Sequence, residues 1–401
     1  MNAKMIRFSD SEQDMWETEE SKTIAKIPDH EIDAKYERGE QRIVTESNRE
    51  KLPNFVAAMK KPGYMDLRPF YQRRARWDSE RQSKLIESFI MNVPVPPIFL
   101  YEKRFNQYEV MDGQQRINAI QDFYDNTLRL KGLKSWPELN GRTYKSLPVK
   151  VRAGIDRRSI SSIVLLKESA PDEEADWLLK LIVFERLNTG GVKLSRQEIR
   201  NCLYYGRLNK LLLRAANHLA FRRAWKIPDV PFEVGDSIPA ELSENTMFSK
   251  MEDTELILRF FALRHHRTFR GAIQGFFDKY MIRSLDFEDS DFEFLESEFS
   301  ETIEACVSIF DNHVFRPFDT KSGEFESKPQ KAFADSVMVG ICEMLPKKEV
   351  LIDRREKVLE QTKELFRKHP EKTFTGAGNT KTDIQNRIQL FIDMLDEVAK
   401  G

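Results

Sequence analysis

Apolar positions fall into helical spacing along much of this chain and into strand spacing in two short runs. Leu85, Ile86, Phe89 and Ile90 make one apolar helix face, and Ser79-Glu80-Arg81-Gln82 before them has capping-box spacing. Val93-Pro94-Val95-Pro96-Pro97 ends that helix, because proline lacks the backbone donor and fixes φ. Ile98-Phe99-Leu100-Tyr101 then reads as a short apolar strand, Glu102 to Gln107 as a polar link, and Tyr108-Glu109-Val110-Met111 as a second strand. At Asp112-Gly113 the period changes, and Ile117, Ile120 and Tyr124 sit at helical spacing. The predicted local order is helix, strand, turn, strand, tight loop, helix.

Beyond it, Pro171 and the acids after it open a helix whose apolar positions are Trp177, Leu178, Leu181, Ile182 and Leu187. Asn188-Thr189-Gly190-Gly191 ends it. Ser195-Arg196-Gln197-Glu198 is a second capping box, opening a helix through Arg200 and Cys202. Glu252 to His266 and Thr382 to Val398 are strongly helical, whereas the first ~50 residues are polar, acidic and without periodicity. The expected organisation is a polar arm (1–55), a small mixed α/β domain (56–205) and a helical domain (206–401): an α+β chain with a predominantly α-helical C-terminal region.

Composition narrows the functional classes. The chain has 401 residues, 40% hydrophobic and 32% charged, with a formal net charge of −1. A protein that coats polyanions is thereby excluded, although a local cationic groove is not. Cys202, Cys306 and Cys342 are too widely spaced for a disulfide framework or a metal knuckle. The N-terminus lacks the apolar core of a secretory signal, and no run approaches the ~18 apolar residues of a membrane helix. The expectation is a soluble, cytoplasmic protein without a membrane partner.

Three stretches carry candidate chemistry. A strand that ends in Asp112-Gly113 and feeds a helix presents free backbone N–H groups at the positive end of the helix dipole. Gly113 permits positive φ and close approach of a ligand, and Gln114, Gln115 and Arg116 add donors suited to phosphate oxygens. Asp112 would repel a bare anion; it fits if it holds a phosphate-bridged Mg²⁺ or orients an attacking water. The bland alternative is a helix start capped by Asp112 with Arg116 in solvent. The second stretch is Pro69-Phe70-Tyr71-Gln72-Arg73-Arg74-Ala75-Arg76-Trp77, whose arginines interleave with aromatics that could grip phosphates and stack bases. Phe70 and Trp77 read better as core residues than does Arg73. In the third stretch, Arg186, Asn188 and Arg200 flank the Gly190-Gly191 turn, whose amides could form an anion nest. An ordinary helix end followed by a capped helix explains the same residues.

Other features carry less. Thr375 to Thr382 lacks the glycine before its lysine and the preceding strand of a phosphate loop, and reads as a polar loop with Thr382 capping the last helix. His265-His266 lies late in an apolar helix without further zinc ligands in evidence, and Glu255 reads as part of a helix face.

Taken together, Pro69 to Arg73 with Trp77, Leu85 to Ser88, Pro94 to Ile98, Asp112 to Arg116, Phe184 to Gly191, Gln197 to Arg200 and Glu255 to Phe261 resemble the N-terminal domain family of the GmrSD restriction enzymes, a branch of the ParB/sulfiredoxin-like superfamily. The resemblance spans roughly residues 60 to 285. It implies a small ParB-like mixed α/β fold, with Asp112, Gln114, Gln115 and Arg116 as an NTP-binding and hydrolysing motif beside Gly113. It makes Tyr71, Gln72 and Arg73 a companion loop of the same pocket, and the anion-nest reading adds Arg186, Asn188 and Arg200 as further nucleotide contacts. It also implies an NTP as ligand and sensing of foreign or modified DNA in phage defence, while the chemistry of Asp112 beside phosphate adds Mg²⁺ as a cofactor on that carboxylate. The His-Asn-His nuclease run of restriction relatives does not occur here, so cutting would fall to a separate nuclease partner. Two rivals remain: a non-enzymatic DNA-binding adaptor, and a nuclease that uses the ParB-like pocket itself. Homo-oligomerisation is left open.

Overall fold

The computed structural model describes residues 6–16, 28–37, 45–66, 77–166, 180, 182–183, 195–203, 206–230, 239–370, 372–376 and 380–401. The chain divides into a mixed unit, Thr23–Leu203, and a helical unit assembled from Met1–Lys22 and Tyr204–Gly401. From the N-terminus, α1 (Asp10–Asp14) belongs to the helical unit and α2 (Asp29–Glu37) to the mixed one.

The mixed unit is built on a five-stranded sheet of β1 (Thr45–Lys51), β2 (Met65–Asp66), β3 (Ile98–Arg104), β4 (Gln107–Asp112) and β5 (Ser159–Leu165), in the order β1-β5-β3-β4-β2. The β3–β4 hairpin is antiparallel, whereas β3 pairs with β5 and β2 with β4 in parallel. Both strands of the hairpin are those expected from the two apolar runs, each extended by two or three residues. Alternate residues Ile98, Leu100, Val110, Ile160 and Val164 enter one core with residues of four helices: α3 (Leu52–Met59), α4 (Ser79–Met91), α5 (Gln114–Tyr124) and α6 (Val149–Asp156). The helix face expected around Leu85 and Phe89 is buried there. Its cap differs from expectation: Asp78, one residue earlier than Ser79, accepts the Arg81 N–H at 2.7 Å. A carboxylate in extended backbone outcompetes a serine already inside the first turn.

The helix expected after Ser195 is α7 (Arg196–Leu203), and its capping box forms: Ser195 N donates to Glu198 at 2.6 Å, and Glu198 N donates to Ser195 Oγ at 3.1 Å. Of the helix expected after Pro171, Lys180, Ile182 and Val183 are described, all helical and half-buried.

The residues read from the sequence as a polar arm contribute to both units. Thr45–Lys51 forms the sheet edge, exposed almost throughout, where charged side chains discourage pairing with another chain. Residues 6–16 instead enter the helical unit. Its helices are α8 (Arg207–Ala215), α9 (Leu219–Trp225), α10 (Ala240–Glu244), α11 (Thr246–Ser249), α12 (Glu252–Arg264), α13 (Ile273–Arg283), α14 (Asp289–Phe310), α15 (Lys331–Glu343), α16 (Lys348–Asp353), α17 (Arg355–Lys368), α18 (Lys372–Thr375) and α19 (Lys381–Lys400). Residues of α12 and α15 are buried around nearly their whole circumference, which marks them as central helices. Gly340 of α15 lets α19 approach closely, since a Cβ there would stand 2.8 Å from Phe391 Cδ1. The last helix is capped by Thr380 with Asp383 rather than by Thr382.

The N-terminal segment is held by buried charge. Glu12 lies fully inside, accepting from Arg264 Nη1 at 2.9 Å and from the Tyr280 hydroxyl at 2.9 Å, with His265 Nε2 at 3.1 Å. Burial alone would raise its carboxyl; Arg264 and His265 outweigh that and hold it below the usual range. Phe8 stacks on His265 and Trp16 on Phe276. His265 thus sits in a closed ion cluster. Among the described residues, no group of three or more His, Cys, Asp or Glu could hold a metal, and no helix is long and apolar enough to cross a membrane.

Candidate functional site

The strand-to-helix junction at Asp112–Arg116 is shaped by what stands behind it. Gly113 occupies the N-cap position of α5 at φ 99°, and a Cβ there would come within 2.6 Å of Ile98 Cγ2. The first residue of β3 therefore forms a floor that a side chain at 113 would strike. Both the left-handed backbone and the close floor demand glycine. Asp112 is the last residue of β4, opposite Phe99, and does not cap the helix. α5 begins without a side-chain cap and without an acid in its first turn, so its leading N–H groups have no acceptor within the helix. Gly113 O accepts the first helical bond, from Ile117 N at 2.9 Å.

Around that turn the side chains are arranged unevenly. Arg116 Nη2 donates to Asp112 Oδ2 at 2.6 Å and to the Pro97 carbonyl at 3.1 Å. The guanidinium is largely covered, while the Asp112 side chain is 37% exposed. Arg116 Nε is buried without a hydrogen-bond partner, and the other Asp112 oxygen accepts no bond from a described residue. The pair therefore retains one carboxylate oxygen and spare guanidinium donors. Gln114 is buried, and Gln115 is half-buried with its Oε1 accepting the Trp77 N–H at 3.0 Å. That bond ties the end of the aromatic–arginine stretch to the junction.

Asp112, Gly113, Gln115 and Arg116 are thus brought together with Trp77, Pro97 and Ile98. Tyr71, Gln72 and Arg73 lie outside the described residues, as do Arg186, Asn188, Gly190 and Gly191. Arg200 is described: it is buried in α7 with Nη1 donating to Gln197 Oε1 at 3.4 Å. Sequence reasoning missed the Pro97 carbonyl and the Trp77 N–H, because backbone groups carry no residue signature.

In chemical terms, the junction offers a helix dipole, an arginine and a half-exposed carboxylate within one turn. An anion fits the first two. The carboxylate would be repelled by an anion alone but accommodated by a divalent cation between them. Mg²⁺ commonly takes one or two protein carboxylates and completes its shell with phosphate oxygens and water, and a single Asp112 oxygen meets that requirement.

Residues 54–205 match the GmrSD restriction endonuclease, N-terminal domain, a stretch that runs from α3 past the end of α7 and contains the whole junction. No curated protein and no solved structure matches the chain.

Proposed function

We propose that the mixed unit binds a nucleoside triphosphate at the Asp112–Arg116 junction and hydrolyses it, as the DNA-sensing component of a restriction or phage-defence system. One observation carries the reading: the stretch matching a restriction-enzyme domain contains an uncapped helix start where a half-exposed carboxylate and an incompletely paired arginine meet over a glycine. The ParB-like ancestry suggested by the motifs belongs to the same proposal.

Phosphate oxygens would take the first-turn N–H groups of α5 and the free donors of Arg116, with Pro97 O keeping the guanidinium in place. Arg116 then exchanges a carboxylate for a phosphate partner. Asp112, released from that contact, would orient water, or would be the carboxylate that holds Mg²⁺, which would supply charge neutralisation. Gln115 holds the Trp77 backbone, and Tyr71, Gln72 and Arg73, with Arg186, Asn188 and Arg200, are assigned to the remaining walls. DNA cutting is assigned to a separate nuclease.

The test is nucleotide binding and turnover by the purified chain with Mg²⁺. Asp112→Asn is expected to lower turnover about 10²-fold or more while nucleotide still binds, and Arg116→Gln to weaken binding itself. Absence of binding to any common NTP, or turnover unchanged in both variants, overturns the reading. Stimulation by modified over plain DNA examines the sensing half.

A further inference from the structure

The polarity of residues 127–158 alternates in a way the junction does not explain. Leu128, Leu130 and Leu133 are buried, while Arg129, Lys131 and Lys134 between them are exposed. The segment continues through two short 3-10 turns, Pro137–Leu139 and Tyr144–Ser146, into α6, again with leucines inside and cations outside. It holds nine Lys and Arg against Glu138 and Asp156, in a chain whose formal net charge is −1. Arg129, Lys131, Lys134, Arg142, Lys145, Lys150 and Arg157 are all exposed. None of them forms an ion pair with a described residue. Of the two acids, Asp156 receives the hydroxyls of Tyr124 and Tyr144.

The segment is also firmly built, which separates it from a loose basic loop. Leu130 N donates to Arg142 O at 2.9 Å and Gly141 N to Leu130 O at 2.7 Å, closing its two limbs together. Ser135 N and Trp136 N both donate to the buried Glu87 carboxylate. Arg129 Nη1 donates to Gly141 O and Arg142 Nη1 to Ser146 O, so carbonyls orient these guanidinium groups without neutralising them. A depression of about 830 Å³ runs between these limbs and α4, lined in part by Gln82, Thr127, Arg129, Lys131 and Asn140 and by one acid, Asp122, whose carboxylate accepts Gln82 Nε2 at 3.0 Å.

Its position is separate from the junction. α5 runs from Gln114 to Tyr124, between the caps Gly113 and Asp125, a rise of about 16 Å for eleven residues. The basic segment is fastened to the far end: Lys145 N donates to Asn126 Oδ1 at 2.8 Å and the Thr127 hydroxyl to Asp122 O at 2.9 Å.

We infer that this ledge is a docking surface for the phosphate backbone of duplex DNA, distinct from the Asp112–Arg116 junction and joined to it by α5. Spread, unpaired and pre-oriented cations suit a row of regularly spaced phosphates better than one small anion. A lipid surface is less well matched, since Trp136 and Val149 are exposed singly rather than as an apolar patch. The inference rests on the DNA-sensing half of the proposed function and is independent of nucleotide turnover.

The experiment measures binding of a short labelled duplex by the full chain across a salt series. Replacing Arg129, Lys131, Lys134 and Arg142 together by Gln is expected to weaken binding at least about tenfold near 0.1 M salt. It should lower the slope of log K against log salt by about three to four. A control with the same charge change on the helical unit (Arg355, Lys357, Lys368 and Lys372 to Gln) should leave both unchanged. Nucleotide binding and the thermal midpoint of the quadruple variant should match the parent, which separates failure here from failure of the nucleotide reading or of folding. An unchanged slope, an equal loss in the control, or tighter binding to anionic vesicles than to duplex overturns the proposal.

Discussion

At the scale of single residues, Gly113 carries the sharpest constraint. Its φ of 99° disfavours any side chain, and Ile98 Cγ2 blocks the space a Cβ would take. Gly113→Ala is expected to destabilise the mixed unit by about 2–4 kcal/mol, from left-handed backbone and overpacking together. Urea titration checks the loss. Combined with Ile98→Ala, the two penalties should sum to less than the separate values, because the clash needs both partners. Simple additivity would mean that Ile98 does not crowd the turn. At this scale the sequence was readable for identity and less so for pairing. The change of period at Asp112-Gly113 located the junction, and composition located its donors. That Arg116 divides its bonds between Asp112 and Pro97 O was not legible, because a carbonyl's direction depends on the fold of the proline run. The shifts of helix caps to Asp78 and Thr380 have the same origin: several adjacent polar residues can cap, and backbone geometry chooses among them.

At the scale of elements, the N-terminal segment contrasts with the hairpin strands. β3 and β4 could be read directly, since each carries a short apolar run bounded by a proline run, a polar link or a glycine turn, and most of each run is buried. β1 could not, because an edge strand exposed almost throughout has no alternation to show. Residues 6–16 mislead differently: their anchor is an acid, Glu12, whose partners lie in α12 and α13. Charge in the interior reads as surface until its counter-charge is found. Glu12→Gln leaves Arg264 buried with its main counter-charge gone, and a loss of about 3–5 kcal/mol in the helical unit is expected. Calorimetry reports the midpoint, and limited proteolysis should show residues 6–16 cleaved first. A midpoint equal to the parent's would show that the ion pair contributes nothing there.

At the scale of the whole molecule, the helical unit should answer to acid more sharply than the mixed one. Burial, with Arg267 beside it, lowers the His266 imidazole to about 4. The unfolded value is near 6.5, so the unfolded chain takes up the proton first as pH falls. His266 therefore contributes full stability above about 6.5, loses it progressively on the way down, and levels off below about 4, for roughly 3 kcal/mol in all. Glu12, whose carboxyl is depressed, adds a further loss as pH falls through its lowered value. Urea midpoints followed by helix signal from pH 7 to 4 should show the decline, and His266→Gln should flatten its upper part. An identical slope in the variant would remove His266 as the cause.

The closure of the helical unit by its own N-terminal residues also orders events in time. Glu12 and Arg264 are 252 positions apart, with the whole mixed unit between them. On a ribosome adding roughly 5–20 residues per second, Arg264 appears some 10–50 s after Glu12. Until then the glutamate remains without its buried partner, and the 23–203 stretch is complete before Arg264 is made. The sheet-bearing unit can thus be finished before the helical one has all its parts, and residues 6–16 find their place later than the sheet they precede in the chain.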